Sequence, residues 1–430
     1  MAENTREIVL DTLLALEKDE EFSHRLIKSV LDKYNYLEER DKAFIKRLTE
    51  GTIERRIELD YYLEQNSSVP VRKMKPLIRC LMRMSVYQLV YMDNVPDSAV
   101  CNEACKLAQK RKFGNLKGFV NGVLRSIARQ KESLSLPDVD KMPLEHLSVK
   151  YSMPLWLVEM WMNAYGKDKT QIMLEGLLAI HPVSLRFRTT LSDTERENLV
   201  KQMEQTGAVL TQSKALPYLY TVENTEQIAA LPGYADGKFV VQDASSAMAV
   251  EAAGITHKDL VVDVCAAPGG KTMLAAEKAE RVISRDVSEG KVSLIEENIT
   301  RMNLENVTVE VHDATVCDAD LKEQADVVLC DVPCSGLGVM GKKRDIKYHM
   351  TADKMQSICE LQRQIVKSSW SYVKPGGVLL YSTCTIHPEE NEKMVVWITE
   401  NFPFVKEEER QFIPGEDETD GFYYARLRRK

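Results

Sequence analysis

Leu260-Val261-Val262-Asp263-Val264-Cys265-Ala266-Ala267-Pro268-Gly269-Gly270-Lys271-Thr272 is a short apolar run that ends on a loop of small residues. The run from Leu260 to Cys265 reads as a buried strand, and Ala266, Ala267, Gly269 and Gly270 would let the backbone after it come close to a ligand. Downstream, Val282 to Asp286, Val307 to Val311, Asp326 to Cys330 and Gly377 to Ser382 are runs of the same kind, separated by helix-like segments. Strands alternating with helices predict a parallel, doubly wound, Rossmann-like α/β domain over residues 238–430. In such sheets a ligand sits beyond the carboxyl ends of the strands.

Working towards the N-terminus, the pattern changes twice. A strand at Val183 to Phe187, a helix at Asp193 to Gln205 and strands at Ala208 to Leu210 and near Leu219 to Val222 predict a small α+β module over 181–237. From Thr5 to Ala128 apolar residues recur at spacings of three and four, as in Leu77, Leu81, Met84 and Leu89. Turn chemistry at Asn66 to Pro70, Asn94 to Asp97 and Phe113 to Asn115 breaks that pattern into helices, so 1–132 is expected to be an all-α domain. Between them, 133–180 reads as a polar linker, Ser133 to Pro143, followed by connecting helices near Leu155 to Ala164 and Lys169 to Ala179.

At 430 residues with 44% apolar content, the chain has material for two or three packed cores. It has no run of about eighteen apolar residues and no basic-then-apolar leader at Met1, so a soluble cytoplasmic protein is expected, without a membrane partner. Nine cysteines without paired spacings argue for a reducing compartment rather than a disulfide framework. Neither Cys101-x3-Cys105 nor Cys330-x3-Cys334 has the second pair and histidines of a zinc site, so no metal is expected. The net charge of -8 conceals a basic block: residues 70–131 hold 13 Lys and Arg against 3 acids. A local excess of that kind suits a polyanion.

The small-residue turn gains meaning from acids at successive strand ends: Asp286, Asp313 and Asp331. Asp286 lies near the offset at which an acid meets ribose hydroxyls. The turn lacks the spaced G-x-G-x-x-G of a dinucleotide loop, and nothing downstream resembles hydride transfer. S-adenosylmethionine has no pyrophosphate to cradle and is the better candidate.

Two cysteines face the same rim of the sheet, Cys334 in Asp331-Val332-Pro333-Cys334-Ser335-Gly336 and Cys384 in Ser382-Thr383-Cys384-Thr385. Cytosine C5 is a poor nucleophile until a thiolate adds to C6, and loss of the C5 proton afterwards expels that thiolate. A stacked base must leave its helix, or come from a loop, to reach such a site. One thiol could attack and the other help release; the motifs alone do not say which.

Together with Tyr372-Val373-Lys374-Pro375-Gly376-Gly377, Pro388-Glu389-Glu390-Asn391 and Asp420-Gly421-Phe422, these motifs resemble the RsmB (Sun/Fmu) branch of the NOL1/NOP2/Sun family of RNA cytosine-5 methyltransferases. Leu37 to Phe44, Arg83 to Leu89 and Gly118 to Arg125 resemble the NusB-type helical RNA-binding module of that branch. The resemblance implies a class I methyltransferase domain, an RRM-like small module and a NusB-like N-terminal domain. It implies that Cys265, Ala266, Ala267, Pro268, Gly269, Gly270 and Lys271 embrace the methionine end of the cofactor, that Asp286 takes the ribose and that Asp313 takes the adenine edge. Asp331 would lie near cofactor and base, with Cys384 the nucleophile and Cys334 assisting release. The pattern departs from the family at Arg188, Arg285 and Arg344. Lys342, Lys343, Arg344 and Lys347 are candidates for phosphate contacts.

The expectation is a monomeric enzyme that methylates C5 of a cytosine in 16S ribosomal RNA, free or in the pre-ribosomal small subunit, through a covalent Cys–C6 intermediate. A transfer-RNA cytosine-5 methyltransferase is the rival enzyme, disfavoured by the helical N-terminal domain. A non-catalytic antitermination or assembly factor is the rival of another class, disfavoured by Cys334, Cys384 and the acids.

Overall fold

Helix Pro76–Tyr91 is buried around almost its whole circumference, from Ile78 to Leu89, so it has to be wrapped on every side. In the computed structural model, which describes residues 4–18, 22–179, 182–225 and 227–430, helices Thr5–Lys18, Glu39–Glu54, Arg56–Asn66, Asp97–Lys110 and Lys117–Gln130 pack against it. One crossing demands glycine: a Cβ at Gly51 would lie 2.0 Å from the Tyr87 ring. Partly buried charges are paired, as where Arg83 meets both oxygens of Asp60 at 2.7 Å. This unit comprises Met1–Leu178 together with Lys342–His349.

Two expectations change here. The stretch read as a linker belongs to the helical unit: Leu134 and Leu136 pack on its core, and the Ser152 hydroxyl accepts the Ile57 N–H at 2.9 Å. The basic run after Cys334 is only partly available for phosphates. Arg344 pairs with Glu50 and with Glu54 (2.8 Å), and the buried Lys347 ammonium donates to the Glu54 carbonyl at 2.8 Å. Both cations sit at the C-terminal end of helix Glu39–Glu54, where the carbonyl ends favour positive charge. Lys342 and Lys343 remain exposed.

The second unit, Ala179–Gly341 with Met350–Lys430, holds two sheets. The smaller contains β1 (Val183–Phe187), β2 (Val209–Gln212), β3 (Leu219–Glu223) and β4 (Phe239–Val241), all antiparallel in the order β2-β3-β1-β4. Its helix, Asp193–Glu204, starts on a Ser192/Glu195 capping box. The fourth strand lies past the expected limit at 237, because Phe239 packs on Phe187 in the same core.

The larger sheet contains β5 (Leu260–Asp263), β6 (Arg281–Asp286), β7 (Val307–Val311), β8 (Ala325–Asp331), β9 (Val373–Thr383), β10 (Phe404–Phe412) and β11 (Phe422–Arg429), in the order β10-β11-β9-β8-β5-β6-β7. From β9 to β7 all pairings are parallel, and β11 runs against both its neighbours. The Rossmann-like methyltransferase fold is present, on a mixed rather than purely parallel sheet. Alternate residues of the central strands enter different cores, Val261 and Val327 on one face, Val262 and Val328 on the other.

Arg186 on β1 and Glu277 form an ion pair at 2.9 Å with neither side chain exposed. Arg186 also donates to Gln242, and the second Glu277 oxygen accepts the Thr189 N–H and hydroxyl. Removing one partner strands the other charge, so Arg186→Met should cost about 3 to 5 kcal/mol in urea unfolding. A loss below about 1 kcal/mol would show that Glu277 is relieved by water or by protonation.

Candidate active site

Three strand ends build the site. After β5 the chain turns through Val264–Gly269 into helix Gly270–Ala276, and Gly269 takes φ +102°, which a side chain would oppose. Asp263 closes β5 fully buried, accepts the Thr272 hydroxyl at 2.7 Å, and is pushed up to about 7 by burial. Its other oxygen has no hydrogen-bond partner among the described residues, and Asp263 lines a cavity of about 220 Å³.

That cavity brings together Asp263, Cys265, Ala266, Ala267, Pro268, Gly270, Lys271, Asp331 and Cys384, with Phe422 and Ser245 among the other walls. The Lys271 ammonium pairs with Asp331 at 2.7 Å, and the second Asp331 oxygen accepts the Ser382 hydroxyl at 2.7 Å. An orphaned acidic oxygen above a cradle of small residues fits the ammonium and carbon chain of a methionine group. Asp286 stands against the same turn, accepting the Ala267 N–H at 3.0 Å and the Val287 N–H at 2.8 Å, with Lys291 at 3.0 Å. Asp313 lies outside the cavity wall: it is exposed, and the N–H and hydroxyl of Thr315 hold its charge and lower its carboxyl below the usual value.

Cys334 and Cys384 meet at 3.0 Å, sulfur to sulfur. Their loops are held by contacts distant in sequence. The Cys384 carbonyl accepts the Gly338 N–H at 3.2 Å, the Gly338 carbonyl accepts the Gly421 N–H at 3.0 Å, and a Cβ on Gly338 would stand 1.8 Å from the Gly421 oxygen. Asn391 accepts the Thr383 hydroxyl and donates to the Thr385 carbonyl and to Gln411. The neighbouring Cys384 sulfur first, then burial, holds the Cys334 thiol well above its ordinary range, and the Glu390 charge adds to this. Cys265, in the cavity wall, is also pushed well up, by burial and by Cys330.

The arginines that break the family pattern have structural partners. Arg188 donates to the Met302 carbonyl at 2.9 Å, and Arg285 bridges Glu310 and Asp318. The sequence motifs pointed to Ser335, Glu390 and Asn391 without giving them roles, and nothing local marks Gln362. Only the fold shows that Ser335 and Gln362 meet at Glu390 and that Asn391 ties Thr383 to Thr385.

The sequence model of the family described as 16S rRNA methyltransferase RsmB/F matches residues 252–428, and that of the NusB family matches residues 3–129. The probable ribosomal RNA small subunit methyltransferase B of Bacillus subtilis (strain 168) is 33% identical, over 99% of both chains. The ribosomal RNA small subunit methyltransferase B of Vibrio cholerae is 30% identical, over 96% of this chain and 95% of its own. Among solved structures, PH0851 superposes with a TM-score of 0.80 at 25% identity over 99% of each chain. NSun6 from Pyrococcus horikoshii with SFG shares the fold at a TM-score of 0.55 and 22% identity, over 64% of this chain and 98% of its own.

Because the Cys384 sulfur is the largest cause of the raised Cys334 pKa, its removal should increase the thiolate fraction of Cys334 at any fixed pH. In Cys384→Ala, alkylation of Cys334 followed by peptide mass spectrometry should reach its midpoint at lower pH than in the parent. An unchanged midpoint would mean that burial and the Glu390 charge set it.

Proposed function

Because the chain belongs to the 16S rRNA methyltransferase RsmB/F family, we propose that its site methylates C5 of a cytosine in small-subunit ribosomal RNA through a transient bond between Cys384 and C6. The observation that carries this reading is the pair of sulfurs at 3.0 Å, with Cys384 in the wall of the same cavity as Lys271 and Asp331. S-adenosylmethionine, when bound, supplies a methyl group on a sulfonium that an activated C5 can take.

The chain's own residues do the rest. The turn from Cys265 to Lys271 and Asp286 would hold the cofactor, and Asp313 would lie at the adenine end. Asp331, fixed by Lys271 and Ser382, faces the base. The Cys384 thiolate adds to C6, which makes C5 enamine-like. After methyl transfer the C5 proton passes to Cys334, whose own proton has gone to solvent, the C5–H pair restores the C5=C6 bond, and the C6–S pair returns to Cys384. Cys334, in contact with that sulfur, assists this release.

The basic block supports RNA as the partner once its internal pairs are set aside. Arg79, Arg83, Lys106, Lys110, Arg111 and Lys131 face acids of the same unit. Arg72, Lys73, Lys75, Lys112, Lys117, Arg125 and Arg129 are exposed, and helix Lys117–Gln130 contains no acid.

The two cysteines should give opposite phenotypes. Cys384→Ala should abolish methylation and form no RNA adduct. Cys334→Ala should attack and methylate but release slowly, so that a denaturant-resistant complex accumulates with S-adenosylmethionine. Reversed phenotypes would exchange the two roles; no effect from either would rule out the cytosine-5 mechanism.

Each phosphate contact on single-stranded nucleic acid adds about 0.7 to the slope of log affinity against log salt. Replacing Lys117, Arg125 and Arg129 together by Ala should therefore flatten the slope for RNA by about 2. An unchanged slope would make this helix face a solvated surface only.

A further inference from the structure

Glu390 is fully buried, touches neither sulfur, and has no part in the steps above. One carboxylate oxygen accepts the Ser335 N–H and the Gln362 side-chain amide, both at 2.9 Å. The other accepts the Ser335 hydroxyl at 2.5 Å and lies 3.1 Å from His387 Nδ1. Gln362 also donates to the Pro333 carbonyl at 3.0 Å, and the Ser335 hydroxyl oxygen is 2.8 Å from that of Thr385. Cys334 is therefore gripped on both flanks, at Pro333 and at Ser335, while Thr385 joins the same knot beside Cys384.

A buried carboxylate is costly unless its lone pairs are used. Here they are used mainly on the backbone and side chain next to Cys334, and they orient that loop against Cys384.

We propose that Glu390 is a positioning residue for Cys334: acting through Ser335 directly and through Pro333 by way of Gln362, it fixes the Cys334 sulfur against Cys384 and so governs release of the methylated base rather than attack or methyl transfer. This rests on the covalent reading above. In the release step Cys334, having first given its proton to solvent, takes the C5 proton and ends as a thiol. The C5–H pair forms C5=C6, and the C6–S pair returns to the Cys384 sulfur. The Glu390 charge also raises the proton affinity of Cys334, which suits a base at C5.

The test uses the full chain with transcribed 16S ribosomal RNA and S-adenosylmethionine, comparing Glu390→Gln and Ser335→Ala with Cys334→Ala. In Glu390→Gln a donor replaces one acceptor and opposes Ser335 N–H or Gln362. The first turnover should survive, steady-state turnover should fall about tenfold or more, and a denaturant-resistant RNA complex should accumulate. Ser335→Ala should show the same signature more weakly, and it decides the matter alone if Glu390→Gln does not fold. Parallel loss of first and later turnovers without a complex, or parent-like behaviour, while Cys334→Ala traps RNA, overturns the role of Glu390 and leaves the covalent reading intact. If Cys334→Ala traps nothing, the covalent reading falls and this inference falls with it.

Discussion

The site depends on the parallel pairing of β8 with β9. The register sets Cys330 opposite Tyr381 and Asp331 opposite Ser382, and the two cysteine loops leave the sheet from those adjacent ends. A slip of one residue would turn each side chain to the opposite face, and a slip of two would separate the loops by about 6.6 Å along the strands. Two sulfurs at 3.0 Å tolerate neither. Register is fixed by apolar faces buried on both sides, where Val328 and Leu379 enter one core and Val327 and Val378 the other.

Much of the charge in this chain serves packing. Arg186, Arg188, Arg285, Arg344 and Lys347 are spent on carboxylates and carbonyls within their own units, and the desolvated Lys347 is lowered to about 7. The sign of a sequence block therefore overstates what a polyanion can reach. The exposed residues of helix Lys117–Gln130 are a better measure than the sum over 70–131.

The core of the larger sheet was legible because its strands are short apolar runs buried on both faces, a pattern local to each run. The β10–β11 hairpin was not, since the stretch after Phe404 on β10 is Val-Lys-Glu-Glu-Glu-Arg, exposed throughout; that is how an edge strand is protected, but it reads as a solvated loop. The attachment of Lys342–His349 to the helical unit and the knot of Ser335, Gln362 and Glu390 were likewise hidden, because each depends on partners at long separation in the chain. Asp286 meets the turn at Ala267 and the two rim cysteines meet each other, whereas Asp313 is bonded within its own loop.

Burial raises several of the nine cysteines out of the reactive range. Desolvation pushes Cys80 and Cys330 up to about 12 and Cys359 to about 11, so these thiols stay protonated at neutral pH and pack as small apolar groups. The same cause pushes Cys265 well up although it lies in the cavity wall. The Cys384 sulfur and burial hold the Cys334 thiol well above its ordinary range. Cys384 is the member of the pair that lines the cavity. Access is thus the reason that attack falls to Cys384 in the proposed mechanism and the proton step to Cys334.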